Sequence, residues 1–105
     1  MSVIMTFRTA GDPDELERRA AENPEAMRSI ADRAKEHGLI AHRFYGAEGK
    51  IMVVDEWPDA ESFQRFFEQM RPEIEPMMQA VGVTGEPEIT FWRKLDTHDE
   101  VGWDA

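Results

Sequence analysis

His42, Asp55 and Trp57 are the residues whose types and spacing could do chemistry. A histidine oriented by a carboxylate and set beside an aromatic ring can take a proton from a phenol near neutral pH. The three meet only if His42 sits on one strand of a hairpin and Asp55 and Trp57, two apart, sit on the other with all side chains on one face. The local pattern supports this. Gly46-Ala47-Glu48-Gly49 separates two apolar runs, Leu39 to Tyr45 and Lys50 to Trp57, as a hairpin turn would. With Gly46 to Gly49 closing the turn, Phe44 faces Ile51, His42 faces Val53 and Ile40 faces Asp55. Asp55 is then diagonal to His42 and within its reach. A slip of one residue would turn these side chains to the other face. The plainer role for the pair is a contact that supports the sheet, or a histidine at the edge in solvent.

Around this trio stand the candidate walls of a ligand site. Trp57 could stack on a planar ligand or close the edge of the core. Phe44 shares the expected face of His42. Phe63 and Phe66 are core residues that can also form a pocket wall. Met77, beside Met78, is either core filling or the lining of an adaptable pocket. Arg8, Arg43 and Arg93 lie on strands, where they could hold an anion or pair with neighbouring carboxylates. His37 falls at a helix C-terminus, a locally favoured place for a positive charge. The three histidines are not spaced as metal ligands and there is no cysteine, so no metal site is expected, and neither disulfides nor thiol chemistry are available.

Composition narrows the partners. The net charge of -10, from 22 acidic and 12 basic residues, disfavours nucleic acid and anionic membranes. No window holds the ~18 apolar residues of a membrane span. The N-terminus, Met1 to Arg8, reads as a first strand and has no basic leader region. A cytoplasmic location is expected, in keeping with the missing cysteines.

The elements that must position the trio follow from pattern. Val3 to Arg8 is a strand. Asp12-Pro13-Asp14-Glu15 starts a helix, and Asn23-Pro24-Glu25 repeats the signal, so the helix is kinked or restarted there. Met27, Ile30, Ala31 and Ala34 form one helical stripe, which Gly38 ends. Leu39 to Tyr45 and Lys50 to Trp57 are the hairpin strands. Pro58-Asp59 starts a second long helix with Phe63, Phe66, Phe67, Met70 and Ile74 on one face. Pro72 and Pro76 are expected to kink it near Arg71. Glu86 to Leu95 is the last strand, and residues 96–105 are an acidic tail whose single Trp103 either dangles or docks on a partner subunit.

The order β-α-β-β-α-β predicts an α+β, ferredoxin-like domain over residues 1–95, with a four-stranded antiparallel sheet and both crossovers on one face. Ile51 to Val54 are apolar on both faces, and the helices can cover only one. A chain of 105 residues has no third layer, so a second copy packed sheet to sheet is the expected cover, giving a homodimer.

The stretch Asp55-Glu56-Trp57-Pro58-Asp59-Ala60-Glu61-Ser62-Phe63, with Gly85-Glu86-Pro87-Glu88-Ile89 leading the last strand, resembles the antibiotic biosynthesis monooxygenase group of dimeric α+β barrel proteins. The resemblance spans about residues 2–95. It implies a pocket between sheet and helices in each subunit. It also implies a cofactor-independent oxygenase of a small planar aromatic or quinone-type compound, with His42 and Asp55 handling protons and Trp57 stacking on the substrate. Two positions depart from the group's pattern. Phe66 stands where many members carry a histidine, and no asparagine lies between Met1 and Arg8, where the haem-degrading branch uses one. The alternative within the fold is a protein that binds an apolar or aromatic molecule without turning it over. A chain packed solid, with no cavity near Trp57, would have neither role.

Overall fold

The computed structural model describes residues 1–103. The chain runs β1 (Val3–Ala10), α1 (Pro13–Glu22), α2 (Pro24–Glu36), β2 (Ala41–Ala47), β3 (Lys50–Trp57), α3 (Ala60–Ala80) and β4 (Glu88–Trp92). The strands form one antiparallel sheet in the order β2-β3-β1-β4, so the fold is the ferredoxin-like α+β arrangement.

The first crossover is two helices. Asn23 ends α1 and also caps α2, its side-chain oxygen accepting from the Ala26 amide. Pro24 cannot donate and pushes Asn23 out of helical geometry, so the chain restarts there. The second crossover, α3, continues to Ala80 through Pro72 and Pro76. Each proline removes one amide donor, leaving the carbonyls of Glu68 and Pro72 without that bond. All three residues are exposed, so water can take the place of the missing donors. Asp59 caps the start of α3 by accepting from the Ser62 amide at 2.8 Å. That backbone bond, and then the Ser62 side chain, hold the Asp59 carboxyl below its ordinary value. A lowered carboxyl stabilises the fold above the ordinary carboxylate range and loses that contribution as pH falls through the folded-state value, which lies below that range.

Strand limits differ from the expected ones in three strands. β1 extends to Ala10, β2 lies at Ala41–Ala47 instead of Leu39–Tyr45, and β4 is only Glu88–Trp92. The turn of the hairpin is two residues long, because Ala47 pairs with Lys50 and leaves Glu48-Gly49 as the loop, Gly49 taking φ 69°. The expected register therefore shifts by two. Phe44 faces Val53 instead of Ile51, and His42 faces Asp55 directly instead of Val53. An even shift keeps every side chain on its expected face.

The helix-side face carries the core. Met5, Phe7, Trp57, Phe63, Phe66, Met70 and Ile74 belong to one buried cluster, and Leu16, Ile51, Val81 and Val83 to a second beneath α1. The other face is uncovered in a single chain. Its rows run Glu56-Ile4-Trp92, Val54-Thr6-Thr90 and Met52-Arg8-Glu88, with Tyr45 at the β2 edge. Trp92 lies across this face at 53% exposure, its indole N–H donating to Thr6 Oγ1 at 2.8 Å. Arg8 pairs with Glu88 there at 3.2 Å and Arg43 donates to the Tyr45 hydroxyl, so neither arginine serves the helix side. Beyond β4, residues 93–103 form no helix or strand, and Val101 and Trp103 are exposed; Asp104 and Ala105 of the expected tail lie outside the described residues. Among the described residues no helix is long and apolar enough to cross a membrane.

Gly46 is where β2 meets α1. A methyl group there would stand 2.7 Å from Pro13 Cβ. Gly46→Ala should therefore lower folding stability by about 1–3 kcal/mol, as overpacking does. Urea denaturation reads this directly, and an unchanged midpoint would mean that the α1 start gives way freely.

Candidate active site

The site begins with strand pairing. His42 and Asp55 are direct cross-strand partners on β2 and β3, and Trp57 follows Asp55 on the same face. Direct partners place their Cβ atoms about 4.5–5.5 Å apart, close enough for two short polar side chains to bond. His42 Nδ1 lies 2.7 Å from Asp55 Oδ1. The Trp57 indole N–H donates to the other carboxylate oxygen, Oδ2, at 3.0 Å. A carboxylate only accepts, so Nδ1 of His42 carries a hydrogen, and in the neutral imidazole the lone pair is then on Nε2. Asp55 is 5% exposed, and a buried carboxylate needs such partners to offset its lost hydration. The His42 side chain is 31% exposed and links this buried group to the surface.

Between the two core clusters and the sheet lies a cavity of about 110 Å³. Its floor includes Ile51, Val53 and Asp55 of β3. α2 contributes Met27 and Ile30, and α3 contributes Phe63, Phe66, Phe67 and Met77. His42 and Phe44 line it from β2 and are its exposed members, so the cavity meets solvent along that edge strand. Their rings meet edge to face at 5.1 Å. His42 and Asp55 are the only ionisable side chains in an otherwise apolar lining, to which Thr9 adds a hydroxyl.

The structure thus brings His42, Asp55, Phe44, Phe63, Phe66 and Met77 to one cavity. Trp57 stands elsewhere than expected. It is fully buried behind the lining, wedged against Phe63 and Phe66 at 5.7 and 5.5 Å between ring centroids, and its one polar atom is bound to Asp55. No face of it is open for a ligand to stack on. Pattern reading also missed members of the wall. Phe67 falls on the core stripe of α3, and Met27 and Ile30 on that of α2, but periodicity cannot tell a packed side chain from one bordering a gap. Among the described residues no cluster of three or more His, Asp or Glu could hold a metal ion.

The Asp55–Trp57 bond should be measurable as a coupling. Asp55→Ala leaves a buried indole N–H without a partner, which costs about 1–3 kcal/mol. Once Trp57→Phe has removed that N–H, the same change should cost less. Urea denaturation of both single variants and the double variant gives the cycle, and strictly additive losses would mean that the bond contributes nothing.

No protein-family profile and no curated protein matches the chain. Solved structures do. SnoaB, described as a cofactor-independent oxygenase from Streptomyces nogalater, aligns at TM-score 0.61 and 19% identity over 94% of this chain and 98% of its own. A putative antibiotic biosynthesis monooxygenase from Bordetella bronchiseptica aligns at TM-score 0.61 and 15% identity, over 90% and 97%. A dimeric ferredoxin-like protein from an uncultured marine organism aligns at TM-score 0.62 and 16% identity, over 95% and 93%. At such identities the shared property is the fold alone, the ferredoxin-like α+β arrangement.

Proposed function

We propose that this chain is a cofactor-independent monooxygenase acting on a small planar aromatic of the phenol or quinol type. The observation that carries the reading is the His42–Asp55 pair, the only ionisable corner of an apolar cavity that opens beside His42. The fold, shared with a protein described as a cofactor-independent oxygenase, agrees with it.

The chemistry needs a base, a dry pocket and dioxygen. His42 Nε2 takes the hydroxyl proton of the substrate, and Asp55 stabilises the imidazolium that forms. The phenolate passes one electron to dioxygen, giving a phenoxyl radical and superoxide. Their recombination forms a C–O bond at a ring carbon bearing hydrogen. His42 returns its proton to the distal peroxide oxygen. The ring C–H then loses its proton while the O–O bond breaks and hydroxide leaves with the electron pair, so a carbonyl and water form. One phenol and one dioxygen give one quinone and one water. The apolar walls, Phe44, Phe63, Phe66 and Met77 among them, hold the ring and exclude water. Trp57 serves as a positioning residue that keeps the Asp55 carboxylate aimed at Nδ1.

His42→Ala should lower oxygen uptake with a phenolic substrate by about 10²–10⁴-fold, the range for a lost general base. An oxygen electrode checks it, and an unchanged rate removes His42 from the mechanism. Saturable binding with no oxygen consumed, in the native protein and across a set of phenols and quinols, would favour a binding protein without turnover.

The uncovered sheet face supports a second proposal, that two copies pack face to face. Ile4, Met52, Val54 and Trp92 form an apolar centre rimmed by Arg8, Glu88, Arg43 and Glu56, and a sheet surface of this kind is costly to leave in water. Val54→Lys places a charge at that centre and should convert a sedimenting dimer to a monomer. A native protein that sediments as a monomer would reject the arrangement.

A further inference from the structure

The cavity's size and the placement of its polar corner bear on which aromatic it takes. An engineered cavity of about 150 Å³ lined by aliphatic and aromatic side chains takes up benzene. Pockets for drug-sized molecules run to about 300–1,000 Å³. The 110 Å³ here falls below both, so a single ring enters only as the flexible Met27 and Met77 yield, and a fused pair exceeds the space by far more. The polar groups gather at one end, where β3 presents Asp55 opposite His42. The other end is closed by Leu16, Ile51, Val81 and Val83, all buried.

Phe67 is the wall residue most tightly held by aromatic and cationic neighbours. It stacks on Phe63 at 5.5 Å with an interplanar angle of 15° and meets Phe7 edge to face at 5.9 Å. Arg71 caps its outer side, with the guanidinium carbon 5.2 Å from the ring centroid. A ring packed against three neighbours resists displacement more than the flexible Met27 and Met77 that also border the space.

We infer that the site selects single-ring phenols over fused-ring compounds, with the hydroxyl toward His42 and Phe67 as the residue that enforces the limit. The inference rests on the proposed function for the role of the hydroxyl, while the size limit stands on geometry alone.

Methyl NMR of methionine-labelled protein tests it, because Met27, Met77 and Met78 border the cavity whereas Met52 lies on the opposite sheet face. Phenol should shift these methyls, and that of Met5, which also lines the cavity, in a saturable way and leave Met52 unmoved. 2-Naphthol should bind the native protein at least tenfold more weakly than phenol. Phe67→Ala should remove that preference and bind 2-naphthol at least as tightly as phenol; Phe67→Leu, a milder change, should narrow the gap if the alanine variant does not fold. Equal binding of phenol and 2-naphthol by the native protein would overturn the inference, as would a phenol response confined to Met52. A size preference unaltered by either Phe67 variant would overturn the role given to Phe67. Oxygen uptake by His42→Gln separates the two readings. If uptake persists there while the size preference holds, the catalytic role of His42 falls and the size limit remains.

Discussion

A carboxylate buried at the end of β3 is the constraint around which this site is organised. Asp55 is removed from water in the middle of an apolar layer, a placement that costs several kcal/mol unless both oxygens are bound. One oxygen is held by the Trp57 indole and the other by His42. Each partner answers a different need. Trp57 is itself fully buried and would otherwise hold an unpaired N–H, so the two residues satisfy each other. His42 stands at the edge strand, where its second nitrogen is left free on the side that opens to solvent. The same pair of bonds thus makes the burial tolerable and sets the imidazole in the tautomer a base requires.

The helix layer that borders the cavity is made of three pieces. α1 and α2 meet at Asn23 instead of forming one rod, and the core divides into a cluster under α1 and a larger one around Trp57. Side chains of both clusters border the gap between them. Close packing elsewhere, such as the Gly46–Pro13 approach and the Phe63–Phe67 stack, keeps the gap from collapsing. The opposite sheet face has no such layer within the chain. Ile4, Met52, Val54 and Trp92 stand there beside Arg8, Arg43, Glu56 and Glu88, on a face that no helix of the chain covers.

How far the site was legible in the sequence varies by residue. His42 and Asp55 could be placed together because strand parity puts them on one face, and parity survives an even error in register. Their direct opposition could not, because Gly46-Ala47-Glu48-Gly49 offers both a four-residue and a two-residue turn and only the closed hairpin selects Glu48-Gly49. Phe44, Phe63, Phe66 and Met77 were legible as members of apolar stripes. The meaning of Trp57 was not. A tryptophan at a strand end reads the same whether its ring faces a ligand or the back of the core, and here Phe63 and Phe66 take up the space that a ligand would need. The prolines of α3 lie inside one helix that continues to Ala80, at a cost set by whether water reaches the freed carbonyls.

What the sequence by itself determined is therefore the order of strands and crossovers, an interruption at Asn23-Pro24 (that it is a restart and not a kink came from the structure), the face each strand residue occupies and the two-sided apolar character of β3. These are local matters of period, capping and turn chemistry, and local physics decides them. Only the tertiary structure decided the pairing of His42 with Asp55, the withdrawal of Trp57 behind the wall, the unbroken course of α3 and the presence and size of the cavity. Each of these depends on distances between residues far apart in the chain, and a void in particular is set by how side chains from four elements fail to fill the space between them.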